Sequence, residues 1–157
     1  MTTELKIRKC ARAIVVNDAN EVLMIKHCDK TAANPLNPDV LEYWVPPGGK
    51  VEEEETFQDA AIRELMEETG IVINSVSECI LQQSRELYFE QTFGSSLMRT
   101  DERFFLSKIR GNPKIPFFDL SEGIVDARWW PIANMEKSEE IFFPEGLNIL
   151  LRNVLKF

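Results

Sequence analysis

Between Arg63 and Gly70 the chain reads RELMEETG, which sets three carboxylates, Glu64, Glu67 and Glu68, at spacings of three and four residues. On a helix such positions share one strip of surface, where like charges each destabilise by roughly 0.2–0.5 kcal/mol. Acids in a closing turn also oppose the partial negative charge of the helix end, where a cation would be favoured by about 0.3–1 kcal/mol. Local rules broken together mark functional sites, and a divalent cation compensates clustered carboxylates. A solvated acidic face explains the same octapeptide equally well in a chain with 26 Asp and Glu against 18 Lys and Arg.

The elements that must carry this strip can be read from the flanking sequence. Thr56 reads as an N-cap with Asp59 three residues on, and Gly70 stands at the C′ position, so a helix is expected between them. KIRKCARAIVV and VLMIKH read as two strands joined by a hairpin turn at NDANE, and Asp29 to Asp39 reads as a loop. SVSECILQQSRELYFEQTF and RFFLSKI read as two or three further strands, mostly antiparallel, and ARWWPI as another. FFPEGLNILLRNVLKF reads as a closing amphipathic helix with Leu147, Leu150, Leu151, Val154 and Leu155 buried. Strands before, between and after two helices imply an α/β fold in layers, and 157 residues suit one domain, 1–157.

Composition narrows the ligand. A net charge of −8 argues against tight binding to long nucleic acid, which needs Lys and Arg on phosphates, yet allows a small phosphorylated ligand if a metal supplies positive charge. No apolar run reaches the roughly 20 residues that span a bilayer, and MTTELKIRKC lacks a signal peptide's apolar core, so a cytoplasmic location without membrane partner is expected. Cys10, Cys28 and Cys79 are odd in number and lack a CxxC pair, which reads as unpaired thiols rather than a disulfide framework or zinc site.

Extended to both sides, the octapeptide becomes GKVEEEETFQDAAIRELMEETGI, Gly49 to Ile71. This string resembles the Nudix box, a Gly, five residues, Glu, seven residues, then REUxEExGU with U aliphatic. Gly49, Glu55, Arg63, Glu64, Leu65, Glu67, Glu68, Gly70 and Ile71 fill every specified position. The resemblance implies an α/β/α sandwich with a mixed sheet between helices and a Mg²⁺- or Mn²⁺-dependent hydrolase that cuts a diphosphate linkage. The substrate implied is a nucleoside diphosphate derivative, with a nucleoside triphosphate slightly favoured and ADP-ribose or a nucleotide sugar as the alternative. A non-catalytic nucleotide-sensing module is the rival of another class, and a homodimer stays open. The metal ligands implied are Gly49, Glu64, Glu67 and Glu68, one of which, Glu64 first, would instead serve as base.

The residues also make physical sense without the family. With Glu64 at the centre of a helical wheel, Glu67 and Glu68 fall to either side, while Ala61, Ile62, Leu65, Met66 and Thr69 lie opposite and are expected to be buried. Arg63 stands four residues before Glu67 and can orient it. Gly48 and Gly49, ahead of Lys50, let a loop pack close to the helix, and all three are candidates to meet substrate. Glu55 either holds that loop or acts as an outer carboxylate; Glu52, Glu53 and Glu54 read as solvated charge. Oxygen-only donors suit hard cations that bridge carboxylates to phosphates.

Outside the string, Glu122 in LSEGIVDARWW is the first candidate for a further ligand or base, followed by Glu102 and Asp101. Tyr43, Trp44, Phe93, Trp129, Trp130, Phe142 and Phe143 could stack on a base, and core packing explains each of them as well. In an alternating strand Trp129 and Trp130 face opposite ways, and Trp129 is taken as the substrate-side residue. Arg85, Arg99 and Arg103 could meet phosphates, Arg99 being preferred. His27 is expected to have no catalytic part. Members that clean oxidised guanine nucleotides carry an Asn shortly after a Phe-Pro segment; here Leu147 holds that place and Asn148 follows, against that specificity.

Overall fold

The computed structural model describes residues 4–156. The first β-branched run is strand β1 (Ile7–Val16) and the second β2 (Glu21–Cys28). The side-chain oxygen of Asn17 accepts from the amides of Ala19 and Glu21 and so closes the turn between them. The expected hairpin forms, but its register is held at Val16 opposite Val22, and the strands then find other partners.

β3 (Glu42–Val45), β4 (Gly48–Lys50), helix α1 (Phe57–Thr69), β5 (Cys79–Gln83), β6 (Glu86–Gln91), β7 (Gly94–Lys108), β8 (Ile124–Pro131), α2 (Ile132–Met135) and α3 (Leu147–Leu155) complete the element order. The sheet runs β3-β2-β1-β7-β5, with β4 on β1, β6 on β7 and β8 on β2, eight strands in all. β5 and β6 both lie antiparallel to β7, as expected, whereas β1 runs parallel to β7 from Ile7 opposite Arg99 to Val16 opposite Lys108. The mixed sheet therefore comes from a pairing between residues about 90 positions apart, which no local pattern encodes.

Alternate residues of β1 serve opposite layers. Ala11, Ala13 and Val15 pack with Ala60, Ala61 and Leu65 of α1, while Ile14 and Val16 pack with Ile132 of α2 and Leu147 and Leu151 of α3. Trp129 joins the α1 layer and Trp130 the α3 layer, as their alternation requires. Helices on both faces of a mixed sheet make the expected α/β/α sandwich. The alanines at the α1 face let the helix sit close to the strand that pairs with the glycine loop, which fixes the distance across which the acids work.

Three expectations need correction. The closing helix begins at Leu147, because Phe142 is still extended and bridges Trp44, and Phe157 lies outside the described residues. Met66, placed with the buried side of α1, is 43% exposed. Glu68, on the acid side, is 4% exposed. The helical stripe is thus rotated, since the loop carrying β4 covers one edge of the acid strip.

Candidate metal and phosphate site

Thr56 Oγ1 accepts the Asp59 amide at 3.1 Å and starts α1; Gly70, at φ 77°, ends it by donating its N–H to the Met66 carbonyl at 2.9 Å. The positive φ and the close approach of Phe117 explain the glycine there, since a Cβ would come within 2.8 Å of that ring. Ahead of the helix, β4 is pressed onto β1 with Gly49 opposite Ala11 and Gly48 opposite Arg12. A Cβ on Gly48 would stand 2.3 Å from the Ala11 carbonyl, and one on Gly49 2.7 Å from the Glu64 carboxyl. The second glycine is therefore where the loop and the acid strip touch.

Arg63 organises the exposed part of the strip. Its Nε and Nη2 grip both oxygens of Glu55 at 2.8 and 2.9 Å, Nη2 also donates to the Lys50 carbonyl at 2.9 Å, and Nη1 donates to Glu64 at 3.0 Å and Glu67 at 3.1 Å. Glu55 in turn accepts the Glu52 amide, so it holds the loop and the guanidinium together. The Arg63 hydrogen bonds keep the Glu55 carboxyl below the usual range. Glu52, Glu53 and Glu54 are exposed, as solvated charge would be.

Glu68 is the buried member. Its Oε1 accepts the Gly48 amide at 2.7 Å. Burial above all, with the charges of Glu64 and Glu122 added, pushes its pKa up to about 8, against the pull of Arg12 and the Gly48 amide. Glu64 is raised for the same reasons, burial first and then Glu67 and Glu122, with Arg63 opposing. The segment before β8 brings Glu122 into range: the Asp119 amide donates to the Glu68 carbonyl and the Phe117 amide to the Thr69 carbonyl, which pins a 3-10 turn, Leu120–Glu122, beside the end of α1. Acids from two chain segments thus act on Glu64 and Glu68, with Glu67 and Glu122 exposed.

The donor set fits a hard divalent cation. Glu64 and Glu68, raised by burial and by neighbouring acids at a glycine loop, are where added positive charge is favourable, and oxygen donors suit Mg²⁺ or Mn²⁺. Among the described residues no three His, Cys, Asp or Glu side chains close on one point, because Arg63 draws Glu64 and Glu67 to itself. Glu64, Glu67 and Glu68 would turn from Arg63 and Gly48 toward the ion.

The remaining candidates are dispersed. Trp129 donates its indole N–H to the Pro113 carbonyl, and Arg99 is paired with Glu86. Asp101 binds Arg103 and Gln82. Phe93 is exposed at the β6–β7 turn. His27 stacks on Tyr43, and burial, helped by Arg12, lowers its pKa to about 4, so it is neutral at ordinary pH. Asn148 donates to Glu136 while Leu147 is buried in the α3 layer. The three cysteines are free thiols.

Arg12 escaped notice in the sequence. Its Nη1 donates to the Pro46 carbonyl at 2.8 Å, and its Nε lies 3.8 Å from Glu102, itself 1% exposed and gripped by Arg85 at 2.6 and 3.0 Å. The available signal was a basic residue alternating with buried alanines in an apolar strand, a position that demands a partner.

Fold and acid strip define an α/β sandwich with carboxylates gathered at a helix–loop junction. The NUDIX domain model matches residues 6–147, and the chain belongs to this family. Named pyrophosphohydrolases are among its curated relatives. It is 27% identical over 149 residues to an RNA pyrophosphohydrolase of Sphingopyxis alaskensis, covering 90% of this chain and 86% of that one. It is 42% identical over 59 residues to the 8-oxo-dGTP diphosphatase of Proteus vulgaris, 34% of this chain and 50% of that one. The m7GpppN-mRNA hydrolase NUDT17 of Danio rerio matches at 37% over 67 residues, 43% of this chain, and this chain spans only 21% of that protein. In fold it is similar to the MutT protein of Methanosarcina mazei Go1, TM-score 0.66 at 18% identity over 99% of this chain and 97% of that one. The NUDIX domain of Shewanella oneidensis NrtR complexed with ADP ribose gives TM-score 0.65 at 17% identity over 99% and 90%. Nudix hydrolases generally use divalent metals, and among the described residues no helix is long and apolar enough to cross a membrane.

Proposed function

We propose that this chain is a Mg²⁺- or Mn²⁺-dependent pyrophosphohydrolase that cuts the diphosphate linkage of a small nucleoside diphosphate derivative, with a nucleoside triphosphate favoured over ADP-ribose or a nucleotide sugar. The observation that carries this is the contact of Glu64 and Glu68 with the Gly48–Gly49 loop, with Glu67 held beside Glu64 by Arg63 and Glu122 near Glu64 and Glu68. When bound, the cation would polarise the diphosphate, lower the pKa of an attacking water and neutralise the leaving phosphate. Glu64, Glu67, Glu68 and the Gly49 backbone would hold it; Arg63 sets the direction of Glu64 and Glu67, and Gly48 that of Glu68. Glu122, exposed and outside the strip, would accept a proton from water. Lys50 at the loop and Arg99 and Trp129 farther off are the candidates to meet the rest of the substrate.

Two relatives act, by name, on RNA, but a net charge of −8 favours a small nucleotide over a long backbone. The engagement of Asn148 with Glu136 argues against recognition of oxidised guanine through that residue. A panel of nucleoside triphosphates, ADP-ribose, nucleotide sugars and dinucleoside polyphosphates with Mg²⁺ or Mn²⁺, comparing wild type with Glu67→Gln, tests the proposal. Cleavage of one compound, lost in the variant, supports it. Metal binding without cleavage of any compound would instead make the domain a nucleotide sensor.

A further inference from the structure

One buried charge cluster stands beside the acid strip and is not part of it. Glu102 on β7 is held through both oxygens by the Arg85 fork, and Thr100 adds its hydroxyl at 3.0 Å. Arg12 approaches the same carboxylate at 3.8 Å, with its Nε buried and lacking any acceptor in hydrogen-bond range. Two guanidinium groups thus share one carboxylate and leave an excess positive charge in a place that is still open, the two arginine side chains being 16% and 22% exposed. The cluster is also directional. Arg12 stands opposite Gly48, whose amide donates to Glu68, at one end, while Arg85 lies over the Phe143 ring at 5.3 Å, and Tyr43 packs edge-on to that ring.

The geometry points to Arg12 and Arg85, braced by Glu102, as an anion subsite for the phosphate of a nucleoside diphosphate that neighbours the metal-held one. The assignment rests on the function proposed above. A planar fork that is pre-oriented on a buried carboxylate gives up little freedom when it meets a phosphate. The Arg85 Nη1 edge, outside the fork on Glu102, is the donor at hand, with the Arg12 charge beside it. Phosphate seated there would lead its nucleoside toward Phe143 and Tyr43, which supply an aromatic wall with the Tyr43 hydroxyl engaged by Asp29.

The test uses α,β-methylene-ADP, whose bridge resists cleavage, titrated calorimetrically with Mn²⁺ present, beside Mn²⁺ binding alone followed by paramagnetic resonance. Arg85→Met should weaken analogue binding about 10-fold to 100-fold, the equivalent of a lost charged hydrogen bond, and leave Mn²⁺ binding unchanged. Since Arg85→Met strands Glu102, the pair Arg85→Met with Glu102→Gln is measured too; it removes both charges and should fold, with the same loss of analogue affinity. Equal analogue affinity in wild type and the folded pair would reduce the cluster to a structural ion triad and overturn the inference while the proposed function stands. Failure of wild type to bind the analogue although it binds Mn²⁺ would overturn both. A parallel fall in Mn²⁺ binding would also overturn it, by showing that the arginines act through the metal site.

Discussion

Glu68 and Glu102 are both buried glutamates in reach of the same arginine, Arg12, and they titrate in opposite directions. Glu68 has one backbone amide at 2.7 Å and two acidic neighbours, and burial raises it to about 8. Burial would raise Glu102 as well, but the Arg85 hydrogen bonds and the charges of Arg12 and Arg85 outweigh it and hold the carboxyl below the usual range. Burial alone therefore does not distinguish a structural acid from a functional one. The distinction lies in compensation: Glu102 is satisfied by protein groups, while Glu68 is left short of positive charge, as a ligand of the proposed cation would be.

The comparison breaks most visibly if the under-compensated acids prove dispensable. Glu68→Gln or Glu64→Gln should lower kcat by about 10²–10³-fold, corresponding to several kcal/mol of lost charge stabilisation, with the fold retained by circular dichroism. Retained turnover would sink the site. Arg63→Ala removes no proposed ligand but frees Glu55, Glu64 and Glu67 together; a fall of about 10–100-fold in activity or Mn²⁺ affinity is expected, as for other groups that orient ligands. On the compensated side, Arg85→Met strands a buried carboxylate and should lose about 3–5 kcal/mol in urea unfolding.

The pH dependence sharpens the same contrast. The folded pKa of Glu102 lies below its unfolded value, so its contribution to stability is present above the ordinary glutamate pKa and fades as pH falls through the depressed folded one. Wild type minus Glu102→Gln stability, followed by urea unfolding from neutral pH into acid, should shrink on acidification; a constant difference would show that Glu102 is not held ionised. The smallest effect is expected at the helix start, where Thr56→Ala should cost about 1 kcal/mol in the same assay and leave metal binding alone.

Much of this was legible. The spacing from Gly49 to Ile71 pointed to the acid strip, its cap at Thr56, its stop at Gly70 and the pairing of Arg63 with Glu67, all recovered in the structure. These are local relations, fixed by helix geometry within a few residues. The alternation that sends Trp129 and Trp130 to opposite layers is equally local. Glu122 was legible only as an acid before a strand; its nearness to Glu64 and Glu68 depends on amides of 117 and 119 meeting the end of α1.

What the sequence determined by itself is thus the chemistry on offer: a helix with three acids on one strip, a double glycine ahead of it, and an acidic chain of net charge −8. Only the tertiary structure decided which acid is buried, that β1 pairs in parallel with β7, and that Arg12, Arg85 and Glu102 form one cluster next to Glu68. The reason is range. Helix and strand periodicities act over a few residues and are written in the chain, whereas burial and charge compensation come from strands and loops distant in sequence and have no local signature.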